Sequence, residues 1–124
     1  MKRVTVVMAA ALVLVLVLVV AVASAFAQSD KAQQGAAVFS AQKCTMCHSV
    51  AGKGNAKGAL DNITAKNKAE HIRAWLTDPE GMRAKTNATR TPAMKPIKLS
   101  PEQIDALIAY ISSARPAAAA DAER

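Results

Sequence analysis

The sequence predicts an all-α domain of three main helices joined by long loops, with an apolar segment ahead of it. Residues 100–111 combine a strong helix-start signal with apolar side chains at helical spacing. Residues 31–42 and 68–77 carry weaker helix signals, and no sustained alternation of apolar and polar residues predicts a strand. A chain of 124 residues with such an apolar start has room for one small core.

The N-terminal segment is typical of a secretory signal. Lys2 and Arg3 form a basic start, and an almost uninterrupted run of Val, Leu and Ala follows over residues 4–23. Ala25-Phe26-Ala27 then supplies a small-x-small cleavage pattern, which predicts a signal peptide over residues 1–27. An uncleaved anchor is the alternative, because the run approaches the ~20 residues that span a bilayer. Either interpretation predicts export, and in a bacterium a periplasmic or membrane-tethered protein.

The charge and the aromatic content limit the classes of partner. The formal net charge is +7, and removal of Lys2 and Arg3 would lower it by two. A basic surface favours an acidic protein, an anionic membrane or nucleic acid. Export argues against nucleic acid, and one Trp, one Tyr and two Phe offer no platform on which bases stack.

Three of the four Cys and His residues lie in one stretch, Cys44-Thr45-Met46-Cys47-His48. Two thiols at this spacing can add to both vinyl groups of one haem, and the adjacent imidazole then reaches the iron. The order Cys-x-x-Cys-His is therefore typical of covalent c-type haem attachment. We predict one haem c bound through Cys44 and Cys47, with His48 as an iron ligand.

Other uses of the two cysteines explain less. A disulfide would close a very small ring and leave His48 without a role. A thioredoxin-like pair belongs in a βαβ pattern, which the sequence lacks. A zinc site needs about four ligands, and His71 is the remaining candidate.

The first helix after the apolar segment is predicted over residues 31–42, with Ser29 or Asp30 as its N-cap. Gly35 and Phe39 lie four residues apart on one face. A glycine inside a helix costs about 1 kcal/mol relative to alanine, so Gly35 indicates close approach of another backbone.

The middle of the chain is predicted to be mostly loop. Residues 49–62 are rich in Gly, Asn and Lys and are expected to wrap the prosthetic group. Asn67 is predicted to cap a helix over residues 68–77, with Glu70 completing a capping box, and Pro79 is predicted to end it. The apolar face of this helix comprises Ile72, Trp75 and Leu76.

The C-terminal part predicts an extended segment followed by a helix. Residues 80–99 are expected to form a connection, in which prolines on both sides of Met94 hold the backbone extended. Ser100 and Gln103 form a capping box at the start of the last helix. The tail, residues 116–124, is alanine-rich and expected to be disordered.

These residues together resemble the class I cytochromes c, of the small periplasmic type with one haem, over residues 30–113. The resemblance implies the cytochrome c fold, with loops wrapped around one covalently bound haem. In that family the first and last helices cross beside the haem. Gly35 and Phe39 match the family's positions on the first helix, and Leu107 and Tyr110 match those on the last.

The resemblance also implies further contacts with the haem. Met94 matches the axial methionine, and Trp75 matches an indole that lies near a haem propionate. Leu60 is expected to pack against the haem. Ala59 stands where many members have a proline whose carbonyl orients the axial histidine, so we expect the Ala59 carbonyl to accept a hydrogen bond from His48.

The second axial ligand determines the predicted function. Met94 is favoured, while Met82 and His71 stay as alternatives. With two axial ligands the iron has no position for substrate, so we predict a one-electron carrier between redox partners and no enzymatic activity. A haem subunit of a larger enzyme and an open-iron sensor or peroxidase are the rival interpretations.

The predicted carrier is a monomer that docks redox proteins through their acidic surfaces. Five lysines that flank the haem motif or the methionine segment are expected to attract such partners. They are Lys43, Lys53, Lys57, Lys95 and Lys98.

Overall fold

The structure, a computed structural model, describes residues 2–114 of the chain. It divides into two compact units, the first ending at Asp30 and the second beginning at Lys31. The predicted disordered tail, residues 116–124, lies outside the described residues.

The N-terminal unit is formed by the first part of helix α1 (Lys2–Ala41), and its described large apolar side chains are more than half exposed. By length and composition alone, the span Val6–Ala41 would suffice to cross a membrane, a test that signal sequences also pass. The predicted N-cap at Ser29 or Asp30 is wrong. The Ser29 hydroxyl donates to the Phe26 carbonyl within the helix, where the preceding turn already satisfies the amides that a cap would serve.

The second unit contains the end of α1 and the remaining elements. Its helices are α2 (Ile63–Lys66), α3 (Ala69–Thr77), α4 (Pro79–Thr86) and α5 (Pro101–Ser113). Short 3-10 turns cover Cys44–Met46 and Ala56–Gly58, and strands β1 (Ser49–Val50) and β2 (Lys53–Gly54) form an antiparallel ribbon. The mostly helical architecture confirms the predicted all-α class.

The ribbon departs from the prediction that the chain has no strands. Ser49 pairs with Gly54 and Val50 with Lys53. The connecting residues Ala51 and Gly52 both have positive φ, the conformation that closes a two-residue hairpin. Strands of two residues are too short to produce a detectable alternation in the sequence.

Two helix boundaries around α3 differ from the prediction. Lys68 is the N-cap of α3, because the Asn67 side chain instead donates to the Ile63 carbonyl and closes α2. Pro79 does not simply end a helix but begins α4 at its first position, where a missing N–H costs nothing. The Asp78 carboxylate caps α4 by accepting from the Gly81 amide at 2.9 Å.

Helix α5 agrees with the prediction in detail. The Ser100 hydroxyl accepts from the Gln103 amide at 3.3 Å, and the Gln103 side chain accepts from the Ser100 amide at 2.9 Å. This is the predicted capping box. The buried face of α5 supplies half of the buried members of the main apolar cluster. These members are Phe39, Val50, Ile72, Leu76, Ile104, Leu107, Ile108 and Ile111.

The end of α1 crosses α5 at Gly35, as its position in a helix predicts. A Cβ built on Gly35 would collide with the Ala106 carbonyl and would lie 2.7 Å from the Tyr110 Cβ. One turn further along α1, the Phe39 and Tyr110 rings pack edge to face with centroids 5.6 Å apart. The absence of a side chain at Gly35 is therefore what allows this crossing.

We expect Gly35→Ala to lower the free energy of unfolding of the haem-loaded protein by about 1–3 kcal/mol, because the added methyl group must push the two helices apart. Denaturant unfolding followed by circular dichroism measures the change. Gln34→Ala, at an exposed position of the same helix, is the control and should stay within about 0.5 kcal/mol of the wild type. Equal stability of both variants would contradict the importance of the crossing.

Candidate haem site

The Cys-x-x-Cys-His motif follows α1 directly. Lys43 adopts a left-handed conformation that reverses the chain, and the 3-10 turn Cys44–Met46 begins immediately after it. The Cys47 and His48 amides both donate to the Cys44 carbonyl, at 3.1 and 2.8 Å. Side chains three residues apart in such a turn lie on the same side, so the winding brings the two cysteines together.

Both thiols are free, Cys44 half-buried and Cys47 exposed. A thioether forms when S–H adds across a vinyl C=C bond, so free thiols are the groups that covalent attachment of a haem requires. Burial raises the pKa of the Cys44 thiol, which keeps the proton on sulfur at neutral pH.

His48 is oriented by a backbone carbonyl. Its Nδ1 lies 3.1 Å from the Gly58 oxygen, and because a carbonyl only accepts, Nδ1 carries the proton. The Nε2 lone pair is then available for a metal, the arrangement that fixes most metal-binding histidines. Burial lowers the pKa of His48, the hydrogen bond to Gly58 opposes this, and the positive charge of Arg90 reinforces it. The neutral, ligating form is therefore favoured.

The expectation that Ala59 supplies this carbonyl is wrong by one residue. The backbone just after Gly58 pairs with β1, since the Leu60 amide donates to the Ser49 carbonyl at 2.8 Å and Ala59 bridges Ser49. This pairing leaves the carbonyl at the end of the preceding 3-10 turn, that of Gly58, beside His48.

Met94 lies in a segment without helix or strand, as the flanking prolines predict, and is half-buried. Its side chain packs against the main apolar cluster, as do those of Cys44 and Leu60. Trp75 is half-buried on α3, and within the described residues it is not part of that cluster. Cys44, Leu60 and Met94 thus all pack against the same cluster of buried apolar side chains.

The two alternative ligands, Met82 and His71, lie beside one cavity. Met82, buried on α4, and His71, half-buried on α3, line one cavity of about 450 Å³. A second cavity of about 430 Å³ is lined by Leu76, Ile97 and Ile104 among others. Neither of these two cavities is lined by the motif residues or by Met94.

Arg90 is a part of the site that no sequence pattern predicts. Its Nη2 donates to the Cys47 carbonyl at 2.6 Å, across 43 positions of sequence. No local pattern signals so distant a contact.

The five lysines predicted to attract partners are all exposed, and Met46, inside the motif, is 70% exposed.

The residues present fit a covalently bound haem. The site offers two free thiols on one turn, an imidazole with an available Nε2, and a thioether that packs against the same apolar cluster as Cys44. Thiols, imidazole and thioether are the donors that hold c-type haem.

Comparison with known proteins agrees with this chemistry. The family model described as cytochrome c matches residues 32–115. A cytochrome c oxidase subunit 2 from Alkalihalophilus pseudofirmus is 34% identical over 91 residues, which are 66% of this chain and 25% of that protein. The chain thus spans about a quarter of the length of this relative. No solved structure matches.

The family match covers well over half of the chain, including the haem motif and the last helix. It confirms the predicted all-α cytochrome c fold and the predicted cofactor, an iron-containing haem c held covalently. The chain therefore belongs to the cytochrome c family, whose chemistry is haem-based electron transfer.

Proposed function

We propose that this chain is an exported one-electron carrier with a single haem c attached to Cys44 and Cys47 and with His48 and Met94 as axial ligands. The observation that carries the proposal is the hydrogen bond from His48 Nδ1 to the Gly58 carbonyl, which leaves Nε2 available beside two free thiols. When bound, haem iron supplies a reversible one-electron change between its ferric and ferrous states.

Two observations support Met94 as the second ligand. Its proline-flanked segment contains no helix, so the thioether is carried on extended backbone. It packs against the apolar cluster that Cys44 and Leu60 also contact, whereas Met82 is not among the described residues of that cluster and lines a cavity with His71. A thioether ligand raises the reduction potential, which suits electron transfer. Leu60 and Trp75 complete the proposed haem contacts.

A closed coordination sphere excludes substrate from the iron, so the proposed protein is a carrier and not an enzyme. We assign residues 28–115 to the haem domain and residues 1–27 to a signal peptide, or to an anchor if cleavage does not occur. Both assignments place the haem domain in the periplasm. The exposed apolar side chains of the N-terminal unit are compatible with either.

The proposed partners are redox proteins with acidic docking surfaces. The chain is proposed to bind them as a monomer. Exposed Lys43, Lys53 and Lys57 follow or flank the haem motif, and exposed Lys95 and Lys98 flank Met94. Charges so placed steer an acidic partner toward the haem and raise the rate of encounter.

A second candidate function is a fixed haem relay within an oxidase. The similarity to part of a cytochrome c oxidase subunit 2 favours it. A relay of this kind would stay with its enzyme when membranes are solubilised, whereas a carrier would separate. The two functions therefore differ in a property that is simple to measure.

The deciding experiment is gel filtration of the native haem-loaded protein, followed by stopped-flow electron transfer to an acidic redox protein. We expect elution at the size of one chain and rates that fall as ionic strength rises. Lys53→Gln with Lys57→Gln should weaken that dependence, and Lys85→Gln on α4 should not. Rates independent of ionic strength would refute the basic docking surface, and co-elution with an oxidase would establish the relay.

A further inference from the structure

Arg90 connects the methionine segment to the haem-attachment motif. It lies in the connection between α4 and α5, four positions before Met94, and its Nη2 donates to the Cys47 carbonyl at 2.6 Å. That carbonyl belongs to the peptide bond that joins Cys47 to His48. The guanidinium therefore binds the backbone at the point where the motif delivers its imidazole.

The same guanidinium packs over Gly58. Both of its Nη atoms lie 2.5 Å from the position that a Cβ on Gly58 would occupy. Gly58 is also the residue whose carbonyl orients His48. Arg90 thus lies against both Cys47 and Gly58, the two residues whose backbone positions the imidazole. A Cβ at position 58 would collide first with the Cys47 carbonyl, so the backbone itself favours glycine there.

The methionine segment makes few other hydrogen bonds. Among the described residues, residues 89–99 take part in no backbone-to-backbone hydrogen bond. The Thr91 hydroxyl makes a local contact with the Thr89 carbonyl, while Arg90 makes the long-range one. Four residues of extended chain reach at most about 14 Å, so fixing Arg90 limits where the Met94 thioether can go.

We propose that Arg90 is a positioning residue that holds the Met94 segment against the turn bearing His48 and places a permanent positive charge beside it. The proposal rests on the proposed ligation by Met94. The tether favours Met94 over external ligands that compete for the iron. The charge favours the ferrous state, which carries one positive charge fewer, and so raises the reduction potential.

The experiment compares imidazole binding to the ferric haem-loaded protein and its variants, together with their reduction potentials. Loss of the sulfur-to-iron charge-transfer band reports displacement of Met94. Arg90→Gln should bind imidazole about tenfold more tightly, a change expected from loss of one charge-assisted hydrogen bond, and should have a lower potential.

Arg90→Lys separates the two effects, because lysine keeps the charge but not the planar fork of donors. Arg90→Lys should bind imidazole roughly threefold more tightly than the wild type, because the same hydrogen bond is only partly lost. Its reduction potential should be unchanged. Lys85→Gln removes one charge from an exposed position of α4 and should change neither quantity. A merely structural arginine would not lower the potential in Arg90→Gln while preserving it in Arg90→Lys.

Unchanged imidazole affinity in Arg90→Gln, in a protein whose wild type shows the charge-transfer band, would overturn the inference and leave the proposed function standing. Absence of the band in the wild type would overturn Met94 ligation and the inference with it. If Arg90→Gln does not accumulate with haem, Arg90→Lys decides, and wild-type affinity in that variant overturns the tether.

Discussion

Replacing Cys44 and Cys47 together with serine is expected to abolish covalent haem attachment completely. The chain contains two cysteines in all, and a serine hydroxyl, unlike a thiol, does not add to the vinyl groups of haem. The small core, whose main cluster has eight buried side chains among the described residues, would also lose the apolar surface that the haem supplies. We therefore expect the double variant to fold poorly as well.

Haem staining after denaturing electrophoresis and the intact mass measure the attachment directly. The single variants Cys44→Ser and Cys47→Ser should each retain at most one thioether bond. Met46→Ala, at the exposed position between the cysteines, is the matched control and should retain full attachment. Haem that stays bound to the double variant through denaturation would place the attachment on other residues.

The parts of the fold that the sequence predicts correctly depend on local or unusual residues. The capping box of Ser100 and Gln103 lies within four positions, and both of its hydrogen bonds are present. Gly35 is costly in a helix, and the structure explains it by the crossing with α5. Such features are recognisable because each carries its physical reason within one short segment.

Elements of weak amphipathicity are harder to predict. Helix α4 is short and mostly polar, so the sequence pattern predicts at Pro79 the end of one helix and not the start of another. An Asp N-cap followed by proline at the first helical position is a sufficient signal in principle. The β1–β2 ribbon has no such signal, because two residues cannot establish an alternation.

The site divides in the same way. The haem motif is predictable because the spacing of its thiols and imidazole follows from the chemistry of attachment. That Gly58, and not Ala59, supplies the carbonyl beside His48 is not predictable from the sequence. The tertiary pairing of Leu60 with Ser49 determines which carbonyl faces His48. Arg90 lies 43 positions from the carbonyl that it binds, and only the fold brings the two together.

Replacing Met94 with alanine is expected to leave the haem iron with a coordination position that an external ligand can occupy. The ferric variant should lose the sulfur-to-iron charge-transfer band, and its ferrous form should bind carbon monoxide rapidly. Its reduction potential should fall by a sizeable part of the roughly 0.8 V range that axial ligands span, because a thioether favours ferrous iron. Visible spectra and a potentiometric titration measure all three changes.

Met82→Ala and His71→Ala are the matched controls, since they remove the two alternative ligands from their shared cavity. Met82 is 7% exposed, so its truncation should cost about 2–5 kcal/mol of stability while leaving the charge-transfer band intact. His71→Ala should leave both the band and the potential unchanged. If the band survived in Met94→Ala and disappeared in Met82→Ala, the second axial ligand would be Met82 on α4. The closed coordination on which the carrier function depends would then come from Met82.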